Sequence, residues 1–324
     1  MGSGTYSAKV YDDARSLRSV TGKSAFDYTD SGLHDSAHPA MDVKGLDGRG
    51  AIRESRDSDE HPVTTAMAVL FDVTGSMGAV PRLLQAKMPQ LLGLVLRKGY
   101  VTGPQILFGA IGDATVDRAP LQIGQFESDN RMDDDLGRLL LEGGGGGGRE
   151  ESYELGLYFM ARHTSADCWE KRGHRGLLFL IGDEKAYPRV KRAEVAEHTG
   201  DALQADISFT DILAEVRKRW DTYFIMPGAA YHSGNTEISD FWSGHLGQNF
   251  IRVPETDAIP ETIALTAGLA EGSTDLDSGL ADLADVGSTA GGAVGSALAT
   301  FAGGAVAVTP PPGPLDAPSG NTRL

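Results

Sequence analysis

The sequence predicts a doubly wound α/β fold, in which helices cover both faces of a mostly parallel sheet. Two patterns support this prediction. Short, continuous apolar runs of the kind that form strands buried on both faces recur along the chain. Segments with apolar residues at helical spacing separate them. Because alternating strands and amphipathic helices form βαβ units, we expect a parallel sheet.

The predicted strands and helices lie between residues 64 and 270. The strands are 66–72, 106–113, a short edge strand at 121–126, 176–184, 222–227 and 249–253. The helices are 80–98, 129–141, 151–163, 190–198, 211–219, 237–246 and 260–270. Ligands of such sheets bind beyond the carboxyl ends of the strands, so we expect functional residues in the loops that follow them.

The chain divides into three predicted regions: an extended N-terminal arm (1–62), the α/β domain (63–271) and a low-complexity, Ala/Gly-rich C-terminal tail (272–324). The polar, aperiodic arm is either a solvated lead-in or a segment that wraps the domain or docks to a neighbouring subunit. The tail holds one short helical pattern and an uncharged run at 291–308. Its many glycines and alanines disfavour a membrane span. We expect the tail to serve association and not folding.

The composition limits the classes of partner. The net charge of −16 excludes nucleic acid as a partner, because phosphate contacts need a basic surface. Such a field suits a cation or a basic protein surface. The single cysteine, Cys168, excludes an internal disulfide and a zinc site held by several cysteines. The first residues show no apolar core of a secretory signal, and we expect a cytoplasmic protein.

Three predicted strands end in acidic residues: Asp72, Asp113 and Asp183. The carboxyl ends of parallel strands meet at one edge of a sheet, so these carboxylates converge and need a cation or strong donors nearby. Asp72 is followed by Thr74 and Ser76, and all three side chains offer the hard oxygens that Mg²⁺ or Mn²⁺ prefers. The sequence therefore indicates a cation site there, with Asp113 either a second acceptor or a loop cap.

The D-x-T-x-S pattern after a buried strand resembles the first motif of the von Willebrand factor type A (VWA) domain, where it builds the metal-ion-dependent adhesion site (MIDAS). The resemblance covers roughly residues 64–271. It implies that Thr74 and Ser76 bind the metal directly, and that Asp72 and Asp183 hold its waters. It also implies a bacterial or phage-type, non-enzymatic module in which an acidic side chain of a protein partner completes the coordination of Mg²⁺ or Mn²⁺. Such stand-alone domains belong to larger assemblies, sometimes with AAA+ ATPases, and the arm and tail would suit a homo-oligomer.

The second loop departs from the pattern of that family. Six glycines (143–148) and the sequence Arg-Glu-Glu-Ser stand where the family has Gly-Gly-Thr, so Glu151 or Ser152 takes the place of the threonine. A carboxylate there would raise the affinity for the cation and make the metal less electrophilic towards an acidic partner group. Glu184, after Asp183, also replaces a residue that is commonly glycine in the family.

Other interpretations of the same residues remain open. The segment 72–76 could be only a turn with a capping serine. It superficially matches the motifs of aspartic proteases and haloacid-dehalogenase phosphatases, but Val73 interrupts the first and Thr74 replaces a needed carboxylate in the second. A Mg²⁺-dependent hydrolase would need a general base, and the three motif loops contain no histidine. A structural, self-assembling subunit with a vestigial metal site is the third alternative.

Overall fold

The computed structural model describes residues 4–22, 26–45, 50–144 and 147–303. The strands are β1 (Arg53–Ser55), β2 (Thr65–Asp72), β3 (Pro104–Ile111), β4 (Leu121–Ile123), β5 (Glu150–Glu151), β6 (Thr164–Ala166), β7 (Gly176–Ile181), β8 (Lys185–Ala186), β9 (Arg189–Val190), β10 (Ile207–Ser208), β11 (Trp220–Pro227) and β12 (Phe250–Val253). The helices are α1 (Ala8–Thr21), α2 (Asp27–Asp30), α3 (Val80–Arg97), α4 (Arg131–Arg138), α5 (Tyr153–Arg162), α6 (Asp167–Arg172), α7 (Arg192–His198), α8 (Phe209–Val216), α9 (Thr236–Leu246), α10 (Ile259–Ala270), α11 (Leu276–Asp285) and α12 (Gly291–Gly303).

Six of the strands form the central sheet, in the order β12-β11-β7-β2-β3-β4. All neighbours are parallel except β4, which pairs antiparallel with β3. This arrangement confirms the predicted α/β fold with a mostly parallel sheet. The register places Phe71 of β2 opposite Ile181 of β7, so the loops after these two strands lie side by side.

Side chains of β2 alternate between two apolar layers, one on each face of the sheet. Val69 and Phe71 belong to the layer that includes residues of α3 and α10. Ala68 and Leu70 belong to the layer that includes residues of α5 and α8. Helices therefore cover both faces, which explains why β2 reads as a continuous apolar run and not as an alternating one.

The N-terminal arm lies against the domain, as the second of its two interpretations expected. Strand β1 pairs in parallel with β6, and Arg53 is buried there. Its guanidinium donates hydrogen bonds to the carbonyl oxygens of Ile123 and Asp42, at 2.8 and 3.1 Å. Arg56 forms an ion pair with Asp167 at 2.9 Å. Groups distant in sequence therefore form hydrogen bonds and ion pairs with charged side chains that the sequence pattern predicted to be exposed to solvent.

The C-terminal segment also packs against the domain, which corrects the expectation that it takes no part in the fold. Helices α11 and α12 pack against α10, and α12 also contacts β12. Leu283, Val294 and Leu298 are buried in the same apolar layer as α10. Small residues permit this packing, since a Cβ atom on Gly279 would lie 2.5 Å from a methyl carbon of Leu265. Residues 304–324, with the proline-rich segment, lie outside the described residues.

No helix within the described ranges is long and apolar enough to cross a membrane.

Candidate metal centre

Asp72, the last residue of β2, is fully buried at the edge of the sheet. Its Oδ1 accepts hydrogen bonds from the backbone N–H and the hydroxyl of Thr74, at 2.8 and 2.6 Å. Its Oδ2 accepts a hydrogen bond from the hydroxyl of Tyr153 at 2.8 Å. The loop after β2 therefore folds back onto the carboxylate and orients the Thr74 hydroxyl.

Two hydroxyl groups connect Asp72 to Asp183. The Thr74 Oγ1 lies 3.2 Å from the Ser76 Oγ, and Ser76 donates a hydrogen bond to Asp183 Oδ1 at 2.7 Å. Asp183, fully buried after β7, also accepts a hydrogen bond from the backbone N–H of His232 at 2.8 Å. The structure thus joins the four residues of the two motifs in one network, although Ser76 and Asp183 are 107 positions apart.

The donor set fits a hard divalent cation. When Thr74 and Ser76 give their protons to the two aspartates, the lone pairs of both hydroxyl oxygens stay free. Their separation of 3.2 Å is close to the ~3 Å expected between adjacent ligands of an octahedral Mg²⁺ with bonds of about 2.0–2.1 Å. Both residues line an open pocket of about 410 Å³.

The second loop brings Glu151, and not Ser152, to this pocket. Ser152 is fully buried, and its hydroxyl accepts a hydrogen bond from the backbone N–H of Ala114 at 2.9 Å. Glu151 borders the pocket together with described parts of the glycine run, and Gly144 accepts a hydrogen bond from the backbone N–H of Gly75 at 2.7 Å. Residues 145–146 of that run lie outside the described ranges. Of the two alternatives for the loop, the geometry favours Glu151.

Glu151 and Glu184 are almost completely buried residues, at 3% and 5% exposure. A hydrogen bond between their carboxyl groups requires a proton on one of them. Burial raises the pKa of Glu151, and the hydrogen bond to Glu184 raises it further. Burial also raises the pKa of Glu184 and the pKa of Asp72. A bound cation would favour the ionised forms of these groups.

Asp113 is not part of this network of hydroxyls. Its Oδ1 accepts hydrogen bonds from the backbone N–H and the hydroxyl of Thr115, at 2.8 and 2.7 Å, and from the hydroxyl of Tyr187 at 3.1 Å. Asp113 therefore caps its own loop, which is the simpler of its two predicted roles.

Sequence reasoning missed three residues of the site. Tyr153 holds Asp72, and Glu184 pairs with Glu151. His232 lies in the loop after β11, with its Nε2 3.2 Å from Glu184 Oε1. In the sequence, Glu184 stands out only as a departure from the family pattern, and no motif points to the loop of His232.

Carboxylates alone do not form a complete metal site in this structure. Within the described residues, no group of three or more His, Cys, Asp or Glu side chains is arranged to hold a metal ion. A cation here would therefore depend on the hydroxyls of Thr74 and Ser76 as well as on the acidic residues.

No protein-family model matches the chain, and no curated protein sequence matches it. Among solved structures, the chain is similar to proximal thread matrix protein 1 from the mussel byssus, at 10% identity over 63% of this chain and 47% of that one, with a TM-score of 0.42. It is also similar to the pilus adhesin SpaC from Lactobacillus rhamnosus GG, at 9% identity over 67% of this chain and 31% of that one, with a TM-score of 0.43.

A further structure of the mussel protein, with a zinc-occupied MIDAS motif, is 9% identical over 67% of this chain and 48% of that one, with a TM-score of 0.40. The chain spans about half or less of the length of these structures.

Proposed function

We propose that this protein is a metal-dependent protein-binding module that holds Mg²⁺ or Mn²⁺ at the carboxyl edge of its sheet. The observation that carries the proposal is the cluster of Asp72, Thr74, Ser76 and Asp183 beside an open pocket, in which each hydroxyl donates to an aspartate and the two hydroxyl oxygens lie 3.2 Å apart. This cluster joins hydroxyl oxygens with free lone pairs to buried carboxylates, as a hard cation requires.

Each residue has a defined part in this proposal. Thr74 and Ser76 offer their hydroxyl oxygens to the cation, while Asp72 and Asp183 orient those hydroxyls and supply negative charge. Glu151 borders the pocket from the second loop and is the further candidate ligand. When bound, the cation supplies a coordination position that an oxygen of the partner can complete, and an acidic side chain is the matching group.

A metal-dependent hydrolase is the second candidate, and one observation favours it. His232, a potential general base, lines the pocket, although the three motif loops themselves contain no histidine. Its Nε2 contacts Glu184. This contact is compatible with a carboxyl group that only orients the imidazole and with one that activates it as a base. Hydrolysis of p-nitrophenyl phosphate or p-nitrophenyl acetate with Mg²⁺, lost in His232→Ala, would favour this alternative over binding alone.

Calorimetric titration with Mg²⁺ and Mn²⁺ tests the metal site directly. We expect one cation per chain for the wild type and at least tenfold weaker binding for Asp72→Asn, because this change removes the negative charge and one of the two carboxylate oxygens at this position. Asp113→Asn is the matched control, since Asp113 also follows a central strand but caps a separate loop. Equal binding by wild type and Asp72→Asn would refute the site, and so would the absence of binding.

A further inference from the structure

A second pocket, of about 390 Å³, opens at the carboxyl ends of β11 and β12. Because these strands run parallel to β7, the pocket lies at the same edge of the sheet as the proposed metal site. The two pockets have no lining residue in common. Among the described residues that line the second pocket, only Arg252 is charged. The pocket is therefore a separate, positively charged feature of a chain whose net charge is −16.

Neutral acceptors hold the guanidinium of Arg252 in place. Its Nη2 donates a hydrogen bond to the carbonyl oxygen of Ser233 at 2.6 Å, and its Nη1 donates one to the hydroxyl of Ser239 at 3.1 Å. These bonds use two of the five N–H donors of an arginine. Arg149 and Arg162 each pair with a glutamate, but within the described residues Arg252 has no carboxylate partner. Its charge and three donors are therefore available, and the side chain is exposed.

The rest of the lining indicates the kind of anion that fits. Met226, Val253 and Pro254 supply apolar surface, and Ser296 of α12 is an exposed polar residue at the rim. One guanidinium matches the single charge of a carboxylate and can donate to both of its oxygens. A doubly charged phosphate would find no second cation in the described lining. The pocket therefore favours a carboxylate on a short apolar stem.

The loop between β11 and α9 contacts both sites. Ser233 accepts the hydrogen bond of Arg252, while the backbone N–H of the preceding residue, His232, donates to Asp183 Oδ2 at 2.8 Å. Consecutive Cα atoms are about 3.8 Å apart. One surface of a partner could therefore reach the metal and Arg252 together.

We propose that Arg252 and its pocket bind a second acidic side chain of the protein partner, beside the one that would complete the metal. The identity of this partner rests on the proposed function, but the affinity of the pocket for a carboxylate does not require the metal. The net charge of the chain opposes acidic ligands at long range, and salt screens this effect beyond about 8 Å at physiological ionic strength. A single carboxylate should thus bind weakly, and a partner that presents two should bind more tightly.

The probe for this subsite is N-acetyl-glutamate amide, with N-acetyl-glutamine amide as its uncharged counterpart. Each is titrated into the full-length, ¹⁵N-labelled protein, and the backbone amide shifts of Gly234 and Val253 are followed. A chelating resin removes metal beforehand, because EDTA would itself offer carboxylates. We expect saturable binding of the glutamate amide in the millimolar range, and at least tenfold weaker binding of the glutamine amide. Arg252→Gln should weaken glutamate binding at least tenfold, and Arg252→Lys about threefold, since lysine lacks the planar fork.

Arg97→Gln is the matched control, because Arg97 is an exposed arginine that donates to the carbonyl oxygen of Gly93 in its own helix. It should bind the glutamate amide like the wild type. Ser296→Leu keeps Arg252 but narrows the pocket, so it should weaken glutamate binding at least tenfold and leave Mg²⁺ binding unchanged. Asp72→Asn should do the opposite, which separates this subsite from the metal site.

Absence of saturable glutamate binding would overturn the subsite. Equal affinity for the glutamine amide, or an unchanged affinity in Arg252→Gln, would also overturn it. Tighter binding of inorganic phosphate, seen at the same two amides, would overturn the assignment to a carboxylate. The calorimetric titration with Mg²⁺ is independent of all these results, so failure of the subsite and failure of the proposed function can be told apart.

Discussion

Truncation of one leucine in α12 should destabilise the whole protein, although the sequence placed this segment outside the domain. Leu298 is 0% exposed and lies in the apolar layer that also contains residues of α3 and α10. Leu298→Ala removes three carbon atoms from this layer and leaves a cavity beside the packed sheet. Such substitutions cost about 2–5 kcal/mol. We expect the free energy of unfolding to fall by about 3 kcal/mol. This is a large part of the total of about 5–15 kcal/mol that is typical of proteins.

Urea-induced equilibrium unfolding, followed by circular dichroism, measures this loss. Leu17→Ala in α1 is the matched control, because Leu17 is 65% exposed and the same substitution there should change the free energy of unfolding by less than about 0.5 kcal/mol. A chain that ends at Gly272 should be destabilised more than Leu298→Ala, since it also lacks Leu283 and Val294. A change below about 1 kcal/mol for Leu298→Ala, or equal changes for both leucines, would refute the packing of α12 described above.

Three further predictions concern buried polar groups. Tyr153→Phe should weaken Mg²⁺ binding about tenfold in calorimetry, because Asp72 loses the donor to its Oδ2; unchanged binding would contradict this role. Glu151→Gln should weaken metal binding while Ser152→Ala leaves it within about twofold; the reverse result would mean that the second loop is misassigned. Burial raises the pKa of Asp133 to about 6, so its contribution to stability should be lost as the pH rises from about 4 to 6. Asp133→Asn should remove that part of the pH dependence of unfolding, and an identical pH profile would contradict it.

The central sheet was predictable because its strands carry a local signal. The run that becomes β2 is apolar at nearly every position, since helices cover both faces of the sheet. Two predicted strands extended too far, into residues that are glycine or acidic. β3 ends at Ile111 and β7 at Ile181, so Asp113 and Asp183 lie in the following loops. Apolar periodicity therefore locates a strand better than it locates its end.

The terminal segments were not predictable in the same way, because their order depends on distant contacts. Arg53 is a charged residue in a polar run, and only its hydrogen bonds to carbonyl groups 11 and 70 positions away allow it to be buried. The small residues of the C-terminal segment suggested weak packing, yet Gly279 permits a close approach to α10 that a larger residue would prevent. A local sequence pattern shows neither hydrogen-bond partners that are distant in sequence nor the close approach of two helices.

The residues of the candidate site also differ in how far the sequence predicts their contacts. Asp72, Thr74 and Ser76 follow one strand at fixed spacing, so their proximity could be inferred from the sequence, and strand order brings Asp183 beside them. The contact of Glu184 with His232 joins two loops whose relation depends on the packing of the whole sheet edge. Residues that directly follow the ends of parallel strands are thus accessible to sequence reasoning, and contacts that depend on the conformation of the loops, such as that of Glu184 with His232, are much less so.

The position of α12 affects how this chain folds during synthesis. The face of α10 that α12 covers belongs to the apolar layer on β2, one of the first strands to be made. At a translation rate of about 5–20 residues per second, the 33 residues from 271 to 303 take about 2–7 s to synthesise. Until α12 has been made and has left the ribosome, the apolar surface of α10 that it covers is without that cover. We therefore expect the incomplete chain to expose apolar surface to chaperones, and to other chains, for longer than a domain whose cover is made early.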